Sequence, residues 1–432
     1  MKTLFSLLIF SFTTYALRSQ DRVKHLSLQE AITASTSNND AIEVSTLNVE
    51  VAKAKFRQTD AIFLPQANLS YTASTTNNPL NAFGLKLEQR SVKLADFNPE
   101  LLNNPAATSD FSARFELQQP LINPDMLYQR KGAAKQVEMY QLLSKRTKEQ
   151  VRFETEKGYL QLQMAYEENN VLNEALLTSQ GVYKTSTDYF DQGLIQKSDL
   201  LNAELQVINI QTQIKASQSL IEDASDVLSI LMGRSTGVIY ILDAIEMTNA
   251  GITDRLSGER SDFKALQKGM ESYDMMIKSS KMSYLPRLNG FATYQLNDKS
   301  MFGFSANSHF AGIQLSWNIF NGNRTKNTIS QQRSEKEILA KQLAQQKSEA
   351  QLQINLTRRQ LSDALFLMKQ QQLAVEQASE ALRVLQNRYT QGLVKTTDVL
   401  MAQTQVSQQK IGYVHAVFNY NLAAASLQFL TK

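Results

Sequence analysis

The side chains that could do chemistry are few. His25, His309 and His415 are far apart, with no acids at ligand spacing. The chain has no cysteine, which excludes disulfides, thiolate metal sites, a cysteine nucleophile and a cysteine-borne acyl anchor. No G-x-S-x-G, H-E-x-x-H or phosphate-loop pattern occurs. No catalytic residue, cofactor or metal is therefore expected, and the chain does not read as an enzyme. What remains is a pair of carboxylates, Asp199 and Asp398, in two similar stretches. The first is YFDQGLIQKSDLLNAELQ, Tyr189 to Gln206; the second is RYTQGLVKTTDVLMAQTQ, Arg388 to Gln405. Aligned on Gly193 and Gly392, they share Gln192/Gln391, Leu194/Leu393, Leu201/Leu400, Ala203/Ala402, Gln206/Gln405 and the two acids.

The chemistry of each stretch is that of a helix end followed by a helix start. Glycine supplies the left-handed residue that ends one helix. Ser198 or Thr397 then offers a hydroxyl cap, and Asp199 or Asp398 sits near the positive end of the next helix dipole. The chain therefore makes the same sharp interhelical turn twice, at 190–199 and 389–398.

The elements that carry the turns are also doubled. FLPQANLSY (Phe63 to Tyr71) resembles YLPRLNGFA (Tyr284 to Ala292), and FELQQPLIN (Phe115 to Asn123) resembles IQLSWNIFN (Ile313 to Asn321). Asn123 to Gly193 spans 70 residues and Asn321 to Gly392 spans 71, so the halves agree in helix length. They differ in a loop at 76–110. The expected order is a secretory leader at 1–19, a first repeat at 20–232, an equatorial insert at 233–261 and a second repeat at 262–432. Each repeat runs helix, strand, loop, strand, long helix, turn, helix.

Pro124 to Tyr189 and Asn323 to Arg388 each hold 66 residues with no internal proline. As helices they would run about 100 Å, too long for one globular core. Ile354, Leu361, Met368, Val375, Leu382 and Tyr389 recur every seven residues, which is a coiled-coil seam with left-handed supercoil.

Four segments alternate instead with period two, at about 65–75, 110–122, 286–297 and 309–320. Leu69, Tyr71, Phe115, Tyr294, Ile313 and Trp317 fall on apolar faces; Asn68, Ser70, Arg114, Glu116, Gln295 and Gln314 fall on polar ones. Phe291 is an exception on the polar side. Ten-residue amphipathic strands suit a tilted membrane crossing with an apolar face to lipid and a polar face to a watery lumen. Four strands cannot close, and an open edge is not tolerated in lipid, so several chains must share one barrel. The net charge of +4 is spread among acids, so nucleic acid is not an expected partner.

In these motifs the chain resembles the TolC-like outer membrane factor family. The resemblance rests on the doubled LP-x-x-N strand starts, the QQPLIN and SWNIFNGN junctions and the doubled QGL turns with a downstream Asp. It implies a mostly α fold with transmembrane β: a long coiled-coil helical barrel, plus four strands per chain in a homotrimeric twelve-stranded outer-membrane barrel. It further implies an export duct of a tripartite efflux or type I secretion system, in the outer membrane of a Gram-negative bacterium with its helical part in the periplasm. Its implied partners are a periplasmic adaptor, an inner-membrane pump and outer-membrane lipid.

Carried over residue by residue, the resemblance makes Gln192, Gly193, Leu194, Gln391, Gly392 and Leu393 the adaptor-docking tips. Asp398 matches an acid of the pore constriction, and Met401 stands where a second acid is found. Asp199 and Tyr389 match a tip link, while the position of a pore-closing arginine holds Val394. By strand parity, Trp317 is a membrane-interface aromatic. Two other classes compete. A trimeric coiled-coil spacer or adhesin without a through-pore is opposed by the amphipathic strands. A barrel-bound enzyme lacks a catalytic constellation.

Overall fold

A computed structural model of the chain describes residues 23–245, 247 and 257–432. The expected leader and part of the expected insert lie outside the described residues. The elements are β1 (Val23–His25), α1 (Leu28–Asn38), α2 (Asp40–Gln58), β2 (Gln66–Thr76), α3 (Pro79–Glu88), α4 (Pro99–Asn103) and β3 (Thr108–Ile122). They continue with α5 (Pro124–Asp191), α6 (Lys197–Leu231), β4 (Ile239–Ile241), α7 (Ser261–Met282), β5 (Arg287–Asp298), β6 (Ala306–Ser316), α8 (Arg324–Tyr389) and α9 (Thr396–Thr431). The long helices α5 and α8 hold 68 and 66 residues. No helix among the described residues is long and apolar enough to cross a membrane. The described residues form two compact units, one from residues 44–146 and 258–349, the other from the remaining described residues.

The first unit holds the antiparallel sheet, in the order β2-β3-β5-β6. Alternation along each strand becomes two faces through register. Leu69, Phe115, Tyr294 and His309 align across one face; Asn68, Glu116, Thr293 and Phe310 align across the other. The first face leaves Leu69 74% and Ile313 70% exposed, an arrangement that water disfavours and hydrocarbon accepts. A register shift between Pro120 and Ile122 falls where proline has no N–H to give the ladder.

Two sequence expectations change in this unit. β6 ends at Ser316, so Trp317 and Ile319 lie beyond the strand rather than within it. The segment read as a plain loop contains α3 and α4. Each is started by an asparagine followed by proline: Asn78 Oδ1 accepts from Asn81 N at 3.2 Å, and Asn98 Oδ1 from Glu100 N at 3.0 Å.

Between α5 and α7, Lys268 bridges Glu138 (3.0 Å) and Glu271 (3.1 Å), and Lys135 bridges the same two acids at 3.0 and 3.1 Å. Hydrogen bonds to Glu138 and Glu271 push Lys268 up from its ordinary 10.5 to about 12. Burial alone would raise both acids, but the two lysines hold them below the usual range. The lysine's contribution is fully present below 10.5 and is lost as pH rises from there through about 12. The carboxylates' contribution is lost only in acid, so the network holds throughout the neutral range.

The second unit packs around Leu26, Ala31, Tyr159, Leu162, Ile221, Leu228, Met232 and Tyr240. Its polar tips are satisfied: Tyr159 Oη donates to Leu26 O at 3.1 Å and Tyr166 Oη to Tyr240 O at 2.9 Å. β1 and β4 pair in parallel beside this core, both too short to leave a period in the sequence. In α8, Ile354 and Leu361 of the seven-residue column pack on Ala423, Ala424 and Leu427 of α9. A β-carbon on Gly412 would come within 3.1 Å of the Gln371 side chain, so a glycine lets α9 approach α8 there.

Candidate functional site: the two interhelical turns

Both turns are built from backbone upward in the same way. After α5, Gly193 N donates to Phe190 O (2.9 Å) and Leu194 N to Tyr189 O (2.8 Å). After α8, Gly392 N donates to Tyr389 O (2.9 Å) and Leu393 N to Arg388 O (3.0 Å). This pair of bonds satisfies the last helical carbonyls and requires a left-handed residue, which Gly193 (φ +74°) and Gly392 (φ +71°) supply. A β-carbon at either glycine would meet nothing within 4 Å, so conformation rather than crowding makes glycine suitable.

The helix starts differ from the sequence expectation. The N-cap residues are Gln196 and Lys395, not Ser198 and Thr397. The two acids cap backward instead: Asp199 Oδ2 accepts from Gln196 N at 3.3 Å, and Asp398 Oδ2 from Lys395 N at 3.2 Å. An acid three residues after the cap satisfies an otherwise orphaned amide and sits at the positive helix end. The Ser198 hydroxyl turns to Gln196 Oε1 at 3.4 Å.

Tyr389 occupies the centre of the site. It is 4% exposed, in a cluster with Val182, Ala203, Leu382, Val399, Leu400 and Val406. Its hydroxyl lies 2.8 Å from Ser186 Oγ and 3.0 Å from Thr396 Oγ1. Ser186 Oγ donates to Val182 O at 2.9 Å. With that proton committed, the tyrosine donates to Ser186 and accepts from Thr396. Tyr189 stands edge-on to the Tyr389 ring at 5.6 Å, and its hydroxyl donates to the Tyr389 and Thr390 carbonyls at 3.1 Å. These bonds fasten the ends of α5 and α8 and the start of α9 together.

The expected tip link between Asp199 and Tyr389 is not made within the chain. The tyrosine hydroxyl already has two buried partners, and the carboxylate is held by Gln196 N. Ser186 and Thr396 were missed because a serine and a threonine in helical sequence carry no marker of a long-range partner. The tip residues Gln192, Gly193, Gln391 and Gly392 are exposed, with Leu194 66% and Leu393 68% exposed. Asp398 and Met401, three apart on α9, are both exposed and share a helix face.

The remaining sequence candidates lie elsewhere. Trp317 follows β6, is exposed, and donates from Nε1 to Tyr284 O at 2.9 Å. His25 pairs with Asp243 (3.2 Å) and His415 with Glu168 (2.9 Å), partners too distant in sequence to foresee. No group of three metal-ligating side chains forms among the described residues.

No curated protein matches the chain. Its fold is similar to that of the Campylobacter jejuni CmeC outer membrane channel, with a TM-score of 0.78 and 14% identity over 94% of this chain and 85% of that one. It is likewise similar to VceC from Vibrio cholerae, with a TM-score of 0.76 and 15% identity over 94% and 96%. A third is the open state of the Neisseria gonorrhoeae MtrE outer membrane channel, with a TM-score of 0.74 and 14% identity over 94% and 88%. At these identities the likeness establishes the fold: a helical barrel with transmembrane β-strands. The model of the outer membrane efflux protein family matches residues 31–234 and 253–431, nearly the whole chain, and the chain belongs to that family.

Proposed function

We propose that the chain works as a passive trimeric export duct, each copy giving four strands to one twelve-stranded barrel. The observation that carries this reading is the sheet itself. Its outer strands, β2 and β6, have no further partner among the described residues, while one face is apolar and exposed. An edge of unpaired N–H and C=O groups cannot remain open in lipid, and pairing β6 of one copy with β2 of the next closes it. Leu201, Leu205 and Ile208 form an exposed apolar stripe on α6 that a neighbouring copy would cover. The polar sheet face lines the lumen and the apolar face meets lipid, with Trp317 at the membrane interface. The family's efflux function supports an inner-membrane pump and a periplasmic adaptor as partners, in a tripartite efflux or type I secretion system.

The exposed tips, Gln192-Gly193-Leu194 and Gln391-Gly392-Leu393, dock the adaptor, the two leucines supplying the apolar contact. Changing both Leu194 and Leu393 to Asp should abolish crosslinking to the adaptor while leaving the trimer intact. Normal crosslinking in that variant would remove the tips from the interface. Asp398 and Met401 form the constriction: three copies of Asp398 bring three carboxylates together and attract cations. Asp398→Ala is expected to raise single-channel conductance in a planar bilayer and weaken block by divalent cations. Wild-type conductance and block in the variant would take Asp398 out of the gate, and a wild-type protein that does not conduct would sink the duct itself.

A further inference from the structure

Two large apolar side chains stand on the wrong face of the sheet. On the polar face, β2 presents Gln66, Asn68, Ser70 and Thr72; β3 presents Ser112, Arg114, Glu116 and Gln118. β5 adds Asn289, Thr293, Gln295 and Asn297, but also Phe291; β6 adds Ser308, Gln314 and Ser316, but also Phe310. The two phenylalanines sit on neighbouring strands with ring centroids 5.3 Å apart and planes tilted by 50°. Gly312, directly opposite Phe291, is what seats them. A β-carbon there would lie 3.1 Å from Phe291 Cζ and 3.3 Å from Cε1, so the ring lies over the glycine backbone.

A ring placed only to cover a glycine would need no companion. Phe310 has no such task and is 69% exposed. If β2 of a neighbouring copy pairs along β6, the side chains it brings to this face are Gln66, Asn68, Ser70 and Thr72, all polar. Nothing on that edge would bury Phe310, and its π-face stays open to the water beside the sheet. Across the same row stands Glu116, paired with Arg114 at 3.5 Å, so the rings project from a surface that is otherwise hydrogen-bonding and charged.

We infer that Phe291 and Phe310 are specificity-determining residues of the duct, forming an aromatic platform in its lumen that retains planar aromatic cations in transit. This inference rests on the proposed duct, in which the polar face lines the lumen. The chemistry is ring-on-ring contact together with attraction of a cation to the electron-rich ring face. The amides, hydroxyls and ion pair of the remaining face offer no ring for such a molecule to stack on.

The test uses the full-length protein in a planar bilayer, with ethidium as the aromatic cation and tetramethylammonium as the cation without a ring. Phe310→Ser should shorten ethidium blockades by about 2- to 10-fold and leave tetramethylammonium unaffected. Phe310→Leu keeps the apolar bulk but removes the π-face, and should shorten them as well; it carries the test if the serine variant fails to fold. Unchanged ethidium blockades in a variant that conducts normally would overturn the platform while leaving the duct standing. A wild-type protein that conducts nothing would overturn the duct and the platform with it.

Discussion

Tyr389→Ala is expected to loosen both turns, at a cost of about 3–5 kcal/mol, the range for deleting a buried aromatic side chain. Its ring fills the cluster of Val182, Leu382, Val399 and Val406, and its hydroxyl is the middle link of a chain from Thr396 through Tyr389 and Ser186 to the Val182 carbonyl. Tyr389→Phe separates the two contributions. It keeps the ring and removes the link, leaving the buried Thr396 hydroxyl without its acceptor, and should cost about 1–3 kcal/mol. Amide exchange at the ends of α5 and α8 and the start of α9 is the direct measurement. A loss of 3 kcal/mol corresponds to a roughly 100-fold larger population of the locally open state, and to exchange faster by about that factor. Wild-type protection in Tyr389→Ala would show that the turns are held by something other than this side chain.

Gly233→Ala is the second large effect, and its cause is different. α6 ends with Gly233 N donating to Ile230 O (3.0 Å) and Arg234 N to Ser229 O (2.8 Å), the same bonds that end α5 and α8. Here, however, the left-handed glycine (φ +65°) is also pressed against α1. A β-carbon would sit 2.3 Å from Asn38 O and 3.0 Å from the Asn38 carbonyl carbon and Cβ. Asn39 Nδ2 donates to Leu231 O at 2.9 Å, so the end of α1 cannot retreat without breaking that bond. The left-handed conformation costs alanine about 1–2 kcal/mol, and forcing packed backbone apart adds about 1–3 kcal/mol. Gly392→Ala meets open space and should lose only the first part. A thermal midpoint that falls much further for Gly233→Ala than for Gly392→Ala is the expected result; equal shifts would mean that the contact with Asn38 is easily relieved.

These two positions show how far the sequence reaches. By itself it determined the fold class, because the signals are local and periodic. The seven-residue column from Ile354 to Tyr389 announces a helical seam, and alternation around Leu69, Phe115, Tyr294 and Ile313 announces amphipathic strands. The doubled Gly-Leu with a following Asp marks two like turns, and the resemblance built on these motifs agrees with the family the chain belongs to. It also exposed Phe291 as a break in the pattern. Two further features are written in the sequence. Asn78-Pro79 and Asn98-Pro99 are helix starts, and Phe310 has the same parity as the polar residues around it.

Only the tertiary structure decided what depends on residues distant in the chain. The pairing of β5 with β6 sets Phe291 beside Phe310's strand and Gly312 beneath its ring. The meeting of α5, α8 and α9 gives Tyr389 its partners Ser186 and Thr396, and the approach of α1 turns Gly233 from one helix-ending glycine among several into a crowded one. The physical reason is the same in each case. Periodicity records which side of an element a residue occupies, whereas hydrogen-bond partners and close contacts are set by the elements packed against that side.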